Sequence, residues 1–221
     1  MQPIATTAVE KDAFDRAYQS KAAAAKLSWI SSIPLNGLAS CPFCGGDGAR
    51  TIEHYLPQAS YPEFSIYSLN LMPSCGDCNR KRNDSNAYGA DVKLLHPYFD
   101  RALLNNIDVF IKINLTSNIP DFEITYNDSD FEDNIQERID HHIATSIDET
   151  AFYNKMISTL QALKVHARKH SNAQSFRDVI QGYIDVSVET NEPNSWTHAL
   201  CKGLMKLSDN NIDLIFGEHF I

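Results

Sequence analysis

Four of the five cysteines in this 221-residue chain form two Cys-x2-Cys pairs, Cys41/Cys44 and Cys75/Cys78. Two intervening residues let both thiolates of a tight turn point at one ion, and four thiolates complete the tetrahedral shell that zinc prefers. With no open coordination position, such a zinc would stabilise the fold and take no part in catalysis. Four unrelated buried thiols, or a redox-active pair in a β-α-β setting, are the alternatives.

Between the cysteine pairs, a carboxylate and an imidazole are adjacent at Glu53 and His54, and Asn79 directly follows the last cysteine. Hydrolysis of a phosphodiester needs a base that deprotonates water and a cation that neutralises the charge developing on phosphate. His54 suits the first role, and the side-chain oxygens of Glu53 and Asn79 suit a Mg²⁺ or Mn²⁺ ion. By itself, a Glu-His pair is more often a surface carboxylate beside a hydrogen-bonded histidine.

A basic run follows Asn79 and consists of Arg80, Lys81 and Arg82. On a helix it would present positive charge beside a phosphate, and a solvated helix face is the alternative. Asn83 lies four residues after Asn79, which predicts the same helical face and either a second metal ligand or an exposed polar residue.

Other residues with reactive side chains have weaker contexts. His96 could reach the cation or the substrate, although a packed structural histidine is the favoured interpretation. The adjacent His141 and His142 have no partner at ligand spacing, which predicts a pair on a helix surface. Cys201 is predicted to fill a core as a small apolar group.

In combination, the residues from Cys41 to Asn83 resemble the HNH endonuclease family, whose ββα-metal motif often carries a zinc knuckle. The family pattern is an acidic residue and His with a following Pro, then Asn-Leu, then Cys-x2-Cys-Asn and a basic residue. The chain supplies Glu53-His54 with Pro57, Asn70-Leu71, and Cys75-x2-Cys78-Asn79 with Lys81 and Arg82.

The resemblance implies His54 as general base, Asn70 as the residue that orders the loop, and Glu53 with Asn79 as ligands of a catalytic Mg²⁺ or Mn²⁺. It implies structural zinc on the four cysteines, and nucleic acid as substrate, with DNA favoured and RNA possible. Two departures concern coordination, because the acidic residue is commonly Asp, and the third signature position is Asn79 where many members have His.

The stretch from Glu53 to Pro62, with Leu71–Cys75, also resembles the HNH subunits of Septu-type and retron-associated bacterial defence systems. In that group the nuclease PtuB acts with an ATPase partner, PtuA, which implies a role in antiphage defence and a docking function for the rest of the chain. The alternative is a catalytically inert zinc-knuckle module that docks nucleic acid or a protein partner.

The sequence as a whole predicts an α+β fold in three segments. Residues 1–35 form an N-terminal helix that begins at the capping box Thr7–Glu10 and ends at Pro34. Residues 36–100 form the zinc-stapled ββα module. Residues 101–221 form a hairpin, with strands at 108–114 and 121–127, and a mostly helical region. Its helices are expected at 150–170, 175–186, 195–207 and 210–216.

The charged residues are unevenly distributed along the chain. The chain has 19 Lys and Arg against 28 Asp and Glu, a net charge of -9, which at first argues against a nucleic-acid partner. Residues 1–100 hold 9 basic and 10 acidic residues, whereas residues 101–221 hold 10 and 18, so the acidity lies outside the motif. The absence of a secretory pattern and of a long apolar run predicts a cytoplasmic protein with no membrane partner.

Overall fold

A computed structural model describes residues 4–20, 26–35, 37–82, 92–115, 119–168, 172–190, 192 and 194–217. The chain is a mixed α and β protein with two small two-stranded antiparallel sheets. It divides into two compact units. The first unit runs to Leu104 and includes Glu132–Asp148, and the second comprises Asn105–Phe131 and Glu149–Ile221. The segment Glu132–Asp148 therefore belongs with the N-terminal part, a grouping different from the three predicted segments.

The N-terminal region of the first unit begins with helix α1 (Ala8–Ser20). Its predicted capping box is present, because the Thr7 backbone N–H donates to the Glu10 carboxylate at 2.8 Å and the Glu10 N–H donates to the Thr7 hydroxyl at 3.3 Å. The prediction of a single helix that ends at Pro34 is wrong. Lys26 has a φ of 57°, which an α-helix cannot accommodate, and a separate 3₁₀ helix covers Ser28–Leu35.

A hairpin and a short helix form the centre of the first unit. Strand β1 (Thr51–His54) pairs antiparallel with β2 (Leu71–Ser74), and helix α2 (Gly76–Arg82) follows directly. Ile30, Ile33 and Leu71 form the core beside this hairpin. Helices α3 (Arg101–Asn106) and α4 (Asp133–Ser146) come later in the chain, and α4 packs against α2.

The second unit contains the predicted hairpin and the predicted helices. Strands β3 (Val109–Asn114) and β4 (Asp121–Tyr126) pair from Val109↔Tyr126 to Asn114↔Asp121. Helices α5 (Glu149–Ala167), α6 (Ala173–Glu189), α7 (Trp196–Met205) and α8 (Asp209–Phe216) follow. Asn172, Ser195 and Ser208 cap the last three by accepting a backbone N–H.

Close packing of α7 on β3 requires a glycine in the second unit. A Cβ built on Gly203 would lie 1.9 Å from the carbonyl oxygen of Ile111. Cys201, on the same helix, is fully buried, and burial raises the pKa of its thiol to about 12, which agrees with the predicted packing role. Along the described ranges, no helix is long and apolar enough to cross a membrane.

Candidate functional site

The four paired cysteines converge in the first unit, with all four sulfur atoms within 4.8 Å of one another. Cys41 Sγ lies 3.9 Å from Cys78 Sγ, and Cys44 Sγ lies 3.7 Å from Cys75 Sγ. A tetrahedron of sulfurs bound to zinc at about 2.3 Å has edges of about 3.8 Å. The donor set therefore fits a zinc ion.

Backbone N–H groups point at these sulfurs from both turns. Gly46 donates to Cys44 Sγ, Cys75 to Cys41 Sγ, and Cys78 to Cys75 Sγ, each at 3.3 Å. Such contacts stabilise thiolates, the form that binds metal. Gly45, directly after the first pair, has a φ of 77°, a left-handed conformation that glycine adopts readily, and its N–H donates to the Cys41 carbonyl at 2.8 Å. A bound metal would join the first turn to the β2–α2 junction.

His54 is half-buried at the end of β1, directly after Glu53. Its Nε2 lies 3.1 Å from the carbonyl oxygen of Ser65, and its ring packs edge-on against Tyr18 at 4.6 Å between centroids. A carbonyl can only accept, so Nε2 carries the proton and Nδ1 keeps a lone pair. Burial lowers the pKa of His54, opposed by Ser65 and Asp15. Its environment thus favours the neutral imidazole that a general base requires.

Asn70 fixes the backbone that follows His54. Its Oδ1 accepts from the Leu56 N–H at 2.7 Å, and its Nδ2 donates to the carbonyls of Leu56 and Phe64, each at 3.1 Å. The Asn70 carbonyl also accepts from the Tyr55 N–H at 2.9 Å. A buried amide with these bonds holds the loop after β1 in one conformation.

Glu53 points from β1 toward α2 and is buried. Arg82 Nε donates to its Oε1 at 3.3 Å. Burial raises the pKa of Glu53 to about 7, although the charge of Arg82 and its hydrogen bond lower it. A carboxylate suits a hard cation, and a cation bound here would share the Glu53 carboxylate with Arg82.

Arg82 is not the solvent-facing cation that the basic run predicted, and that part of the prediction is wrong. The side chain is 0% exposed, and its guanidinium lies 4.1 Å from the centre of the Phe43 ring. Its Nη1 also lies 3.4 Å from Ser146 Oγ on α4. Arg82 therefore faces Glu53 and an aromatic ring, and not a nucleic-acid backbone.

Asn79 joins α2 to β1 through its amide nitrogen. Nδ2 donates to the Ile52 carbonyl at 2.8 Å and to Thr51 Oγ1 at 3.2 Å. Both amide protons are thus engaged by the strand that carries Glu53, and the amide oxygen of Asn79 is the atom suited to a hard cation. The predicted additional ligand, Asn83, lies outside the described residues.

The other two basic residues of α2 remain exposed. Arg80 pairs with Asp77 at 2.7 Å and lies 4.0 Å from Asp148, with 70% of its side chain exposed. Lys81 Nζ donates to the carbonyl of Ile147. Exposed groups of this kind can exchange a surface contact for a phosphate at small cost.

His96 is a packed structural histidine, as the sequence favoured. Its Nε2 lies 3.1 Å from the carbonyl oxygen of Leu69, and its Nδ1 accepts from the N–H groups of Tyr98 and Phe99 at 3.1 and 3.4 Å. Burial lowers the pKa of His96. With both ring nitrogens engaged by backbone, His96 is in no position to bind a cation.

Helix α4 supplies contacts to the site that were missing from the sequence prediction. Its Ser146 carbonyl lies 2.9 Å from Cys78 Sγ, and His142 Nε2 lies 2.8 Å from the Phe43 carbonyl in the first cysteine turn. The predicted surface location of His142 is wrong, because this residue is 4% exposed. Ile139, His142 and Ser146 recur at helical spacing, but only Ile139 is apolar, so hydrophobic periodicity does not mark this buried face.

Comparison with known proteins finds similarity to protein ea31 of Escherichia phage lambda, with 26% identity over 185 residues. The matched region covers 76% of this chain and 62% of the phage protein, so the chain spans less than two thirds of that relative. No family model matches the chain, and no solved structure matches it. The phage similarity does not identify an activity.

Proposed function

We propose that the chain is a metal-dependent endonuclease of the HNH type that hydrolyses phosphodiester bonds of nucleic acid. The observation that carries this proposal is the hairpin and helix joined by four cysteines, with His54 at the end of β1 and Asn79 bonded to the same strand. The hydrogen bonds of Asn70 to the loop after His54 support the loop-ordering role that the family resemblance implies.

In the proposed reaction, the oxygen of a water molecule attacks phosphorus while Nδ1 of His54 accepts its proton. The bond from phosphorus to the 3′ oxygen breaks, and the 3′ oxygen is protonated from solvent. Mg²⁺ or Mn²⁺, held by Glu53 and Asn79, would stabilise the charge on the phosphate and the leaving oxygen. Arg80 and Lys81 would contact neighbouring phosphates.

DNA is the favoured substrate and RNA the second possibility. We further propose that the chain is an effector of bacterial antiphage defence and acts with an ATPase partner of the PtuA type. This partner would supply nucleotide hydrolysis, because the sequence has no Gly-Lys-Ser/Thr phosphate loop. Co-purification of an ATPase from cells that express both proteins would support the pairing, and full cleavage activity of the chain alone would argue against it.

One observation favours a second function, an inert module that docks nucleic acid or a protein. The proposed ligand Glu53 is buried and already paired with Arg82, an arrangement that does not require a catalytic cation.

Cleavage assays separate the two functions. Plasmid DNA, single-stranded DNA and RNA should each be incubated with wild type and with His54→Ala, with Mg²⁺ and without added divalent metal. Cleavage that requires both Mg²⁺ and His54 supports the nuclease. Binding of nucleic acid without cleavage under every condition, with and without an ATPase partner, would support the docking module.

A further inference from the structure

A pocket of about 340 Å³ lies in the first unit, next to the candidate catalytic strand. It is lined by Tyr55 and Leu56, the residues directly after His54, and by Asn70. The pocket is near the lower limit of about 300 Å³ for small-molecule sites. It therefore suits a ligand the size of one nucleotide better than an extended peptide.

The walls of this pocket are aromatic and ordered. The rings of Tyr55, His96 and Phe99 form a series, with centroids 4.3 Å apart for the first pair and 4.5 Å for the second. The backbone contacts of His96 hold the middle ring in place. Tyr67 lies on the wall as well. Such surfaces can accept a flat ring by stacking.

Three aromatic rings at or beside this pocket are exposed to solvent. Phe99 is 70% exposed, Tyr67 49% and Tyr98 46%. Within the described ranges, these are the exposed aromatic side chains, and all three lie on the pocket wall or directly beside it. An exposed apolar cluster at one site commonly marks a binding surface.

The polar end of the pocket carries two cations and one carboxylate. Arg138 of α4 donates to Asp100 Oδ2 at 2.9 Å and to the Lys93 carbonyl at 3.2 Å, while the Lys93 side chain is exposed at the rim. The two cations outnumber the one carboxylate at this end of the pocket, and positive charge beside aromatic rings complements a flat ring that carries phosphate. They favour a nucleotide over a purely apolar protein segment.

We propose that this pocket holds one unstacked nucleobase, with the attached phosphate at Lys93 and Arg138. The inference rests on the proposed nuclease function and names how that site would grip its substrate. The nucleobase would come from a single strand that passes His54 or from a free nucleotide, since both present the same ring and phosphate. Stacking on exposed aromatics tolerates any base, so the pocket would contribute affinity without strong sequence preference.

The test measures binding with the full-length chain carrying His54→Ala, without added Mg²⁺, so that cleavage does not intervene. The probes are a fluorescein-labelled 12-nucleotide single strand and an abasic strand of the same length and charge. Phe99→Ala and Tyr67→Ala should each weaken binding of the base-containing strand by about 5- to 150-fold and leave binding of the abasic strand unchanged. Leu38→Ala is the matched control, because Leu38 is 48% exposed in the same unit and does not line the pocket.

Adenosine monophosphate, added as a competitor, distinguishes a nucleobase of a single strand from a free nucleotide as the occupant of the pocket. Displacement of the strand at equal concentrations identifies a free nucleotide as the occupant, and resistance to displacement identifies the strand. Equal affinity for the abasic and base-containing strands, or wild-type affinity of both alanine variants, would overturn the inference and leave the aromatic surface to a protein partner. Mg²⁺-dependent cleavage by the wild type, measured separately, would then still support the proposed function. Conversely, base-dependent binding without cleavage by the wild type would support nucleobase binding in the pocket and argue against the proposed nuclease function.

Discussion

Arg82 Nε donates to Glu53 Oε1 at 3.3 Å, and both side chains are almost completely removed from solvent. This ion pair connects α2 to β1 inside the candidate site. Breaking a buried pair costs more than the pair contributes, because the remaining charge is left without a partner.

Arg82→Met should therefore lower the free energy of unfolding by about 3–5 kcal/mol at pH 8, where Glu53 is ionised. The loss should be smaller at pH 6, since the pKa of Glu53 is raised to about 7 and protonation removes the unpaired charge. Urea denaturation at the two pH values measures both effects. Arg80→Met on the same helix is the control and should cost at most about 1 kcal/mol, because its ion pairs are exposed. Equal losses for the two variants would contradict the burial of Arg82.

Zinc content tests the cysteine cluster. The purified wild-type chain should contain zinc in a one-to-one ratio, and Cys44→Ser should lose it and unfold the surrounding turns. Cys201→Ala should retain the metal, because Cys201 lies in the second unit, apart from the four-cysteine cluster. Elemental analysis and circular dichroism measure these results. A Cys44→Ser protein that keeps full zinc occupancy would exclude the four-sulfur site.

The buried His142 predicts a loss of stability in acid. Burial, together with the charge of Arg82, lowers its pKa from 6.5 to about 4. Between pH 6.5 and 4 the unfolded chain binds a proton that the folded chain does not, so the stabilisation present above pH 6.5 is lost as the pH falls toward 4. His142→Gln should reduce this pH dependence in denaturation measurements. The exposed His166, changed to Gln, should leave it unchanged, and equal slopes for the two variants would refute the assignment.

Gly203 tests the packing of the second unit. Gly203→Ala should destabilise the chain by about 1–3 kcal/mol, because its Cβ would overlap the Ile111 carbonyl and force α7 away from β3. Gly182→Ala, in α6, has no atom within 4 Å of the new Cβ and should stabilise by about 0.5–1 kcal/mol. Thermal unfolding of both variants measures the contrast, and opposite signs are the expected outcome.

Short-range patterns predicted the elements that carry the site. The Cys-x2-Cys spacing anticipated the convergence of Cys41, Cys44, Cys75 and Cys78 because each pair lies in one tight turn. Alternation predicted the hairpin of the second unit, and helical periodicity predicted α5. In each case the decisive contacts lie within a few residues along the chain.

Contacts between segments that are distant along the chain could not be predicted from these short-range patterns. Helix α4 packs Ser146 against Cys78 and His142 against Phe43, and nothing in the local sequence of α2 indicates that neighbour. Arg82 was missed for a different reason. It lies three residues after Asn79, so helical geometry places both on the face toward β1, and its charge concealed that position.

If His54 is the general base of a nuclease, replacing it should slow Mg²⁺-dependent cleavage under single-turnover conditions, where the rate reports the chemical step. Wild type, His54→Ala and the exposed-histidine control His166→Ala should be compared at equal zinc content. We expect His54→Ala to cleave about 10²- to 10⁴-fold more slowly and His166→Ala to match the wild type. Cleavage by His54→Ala at the wild-type rate would exclude His54 as the general base.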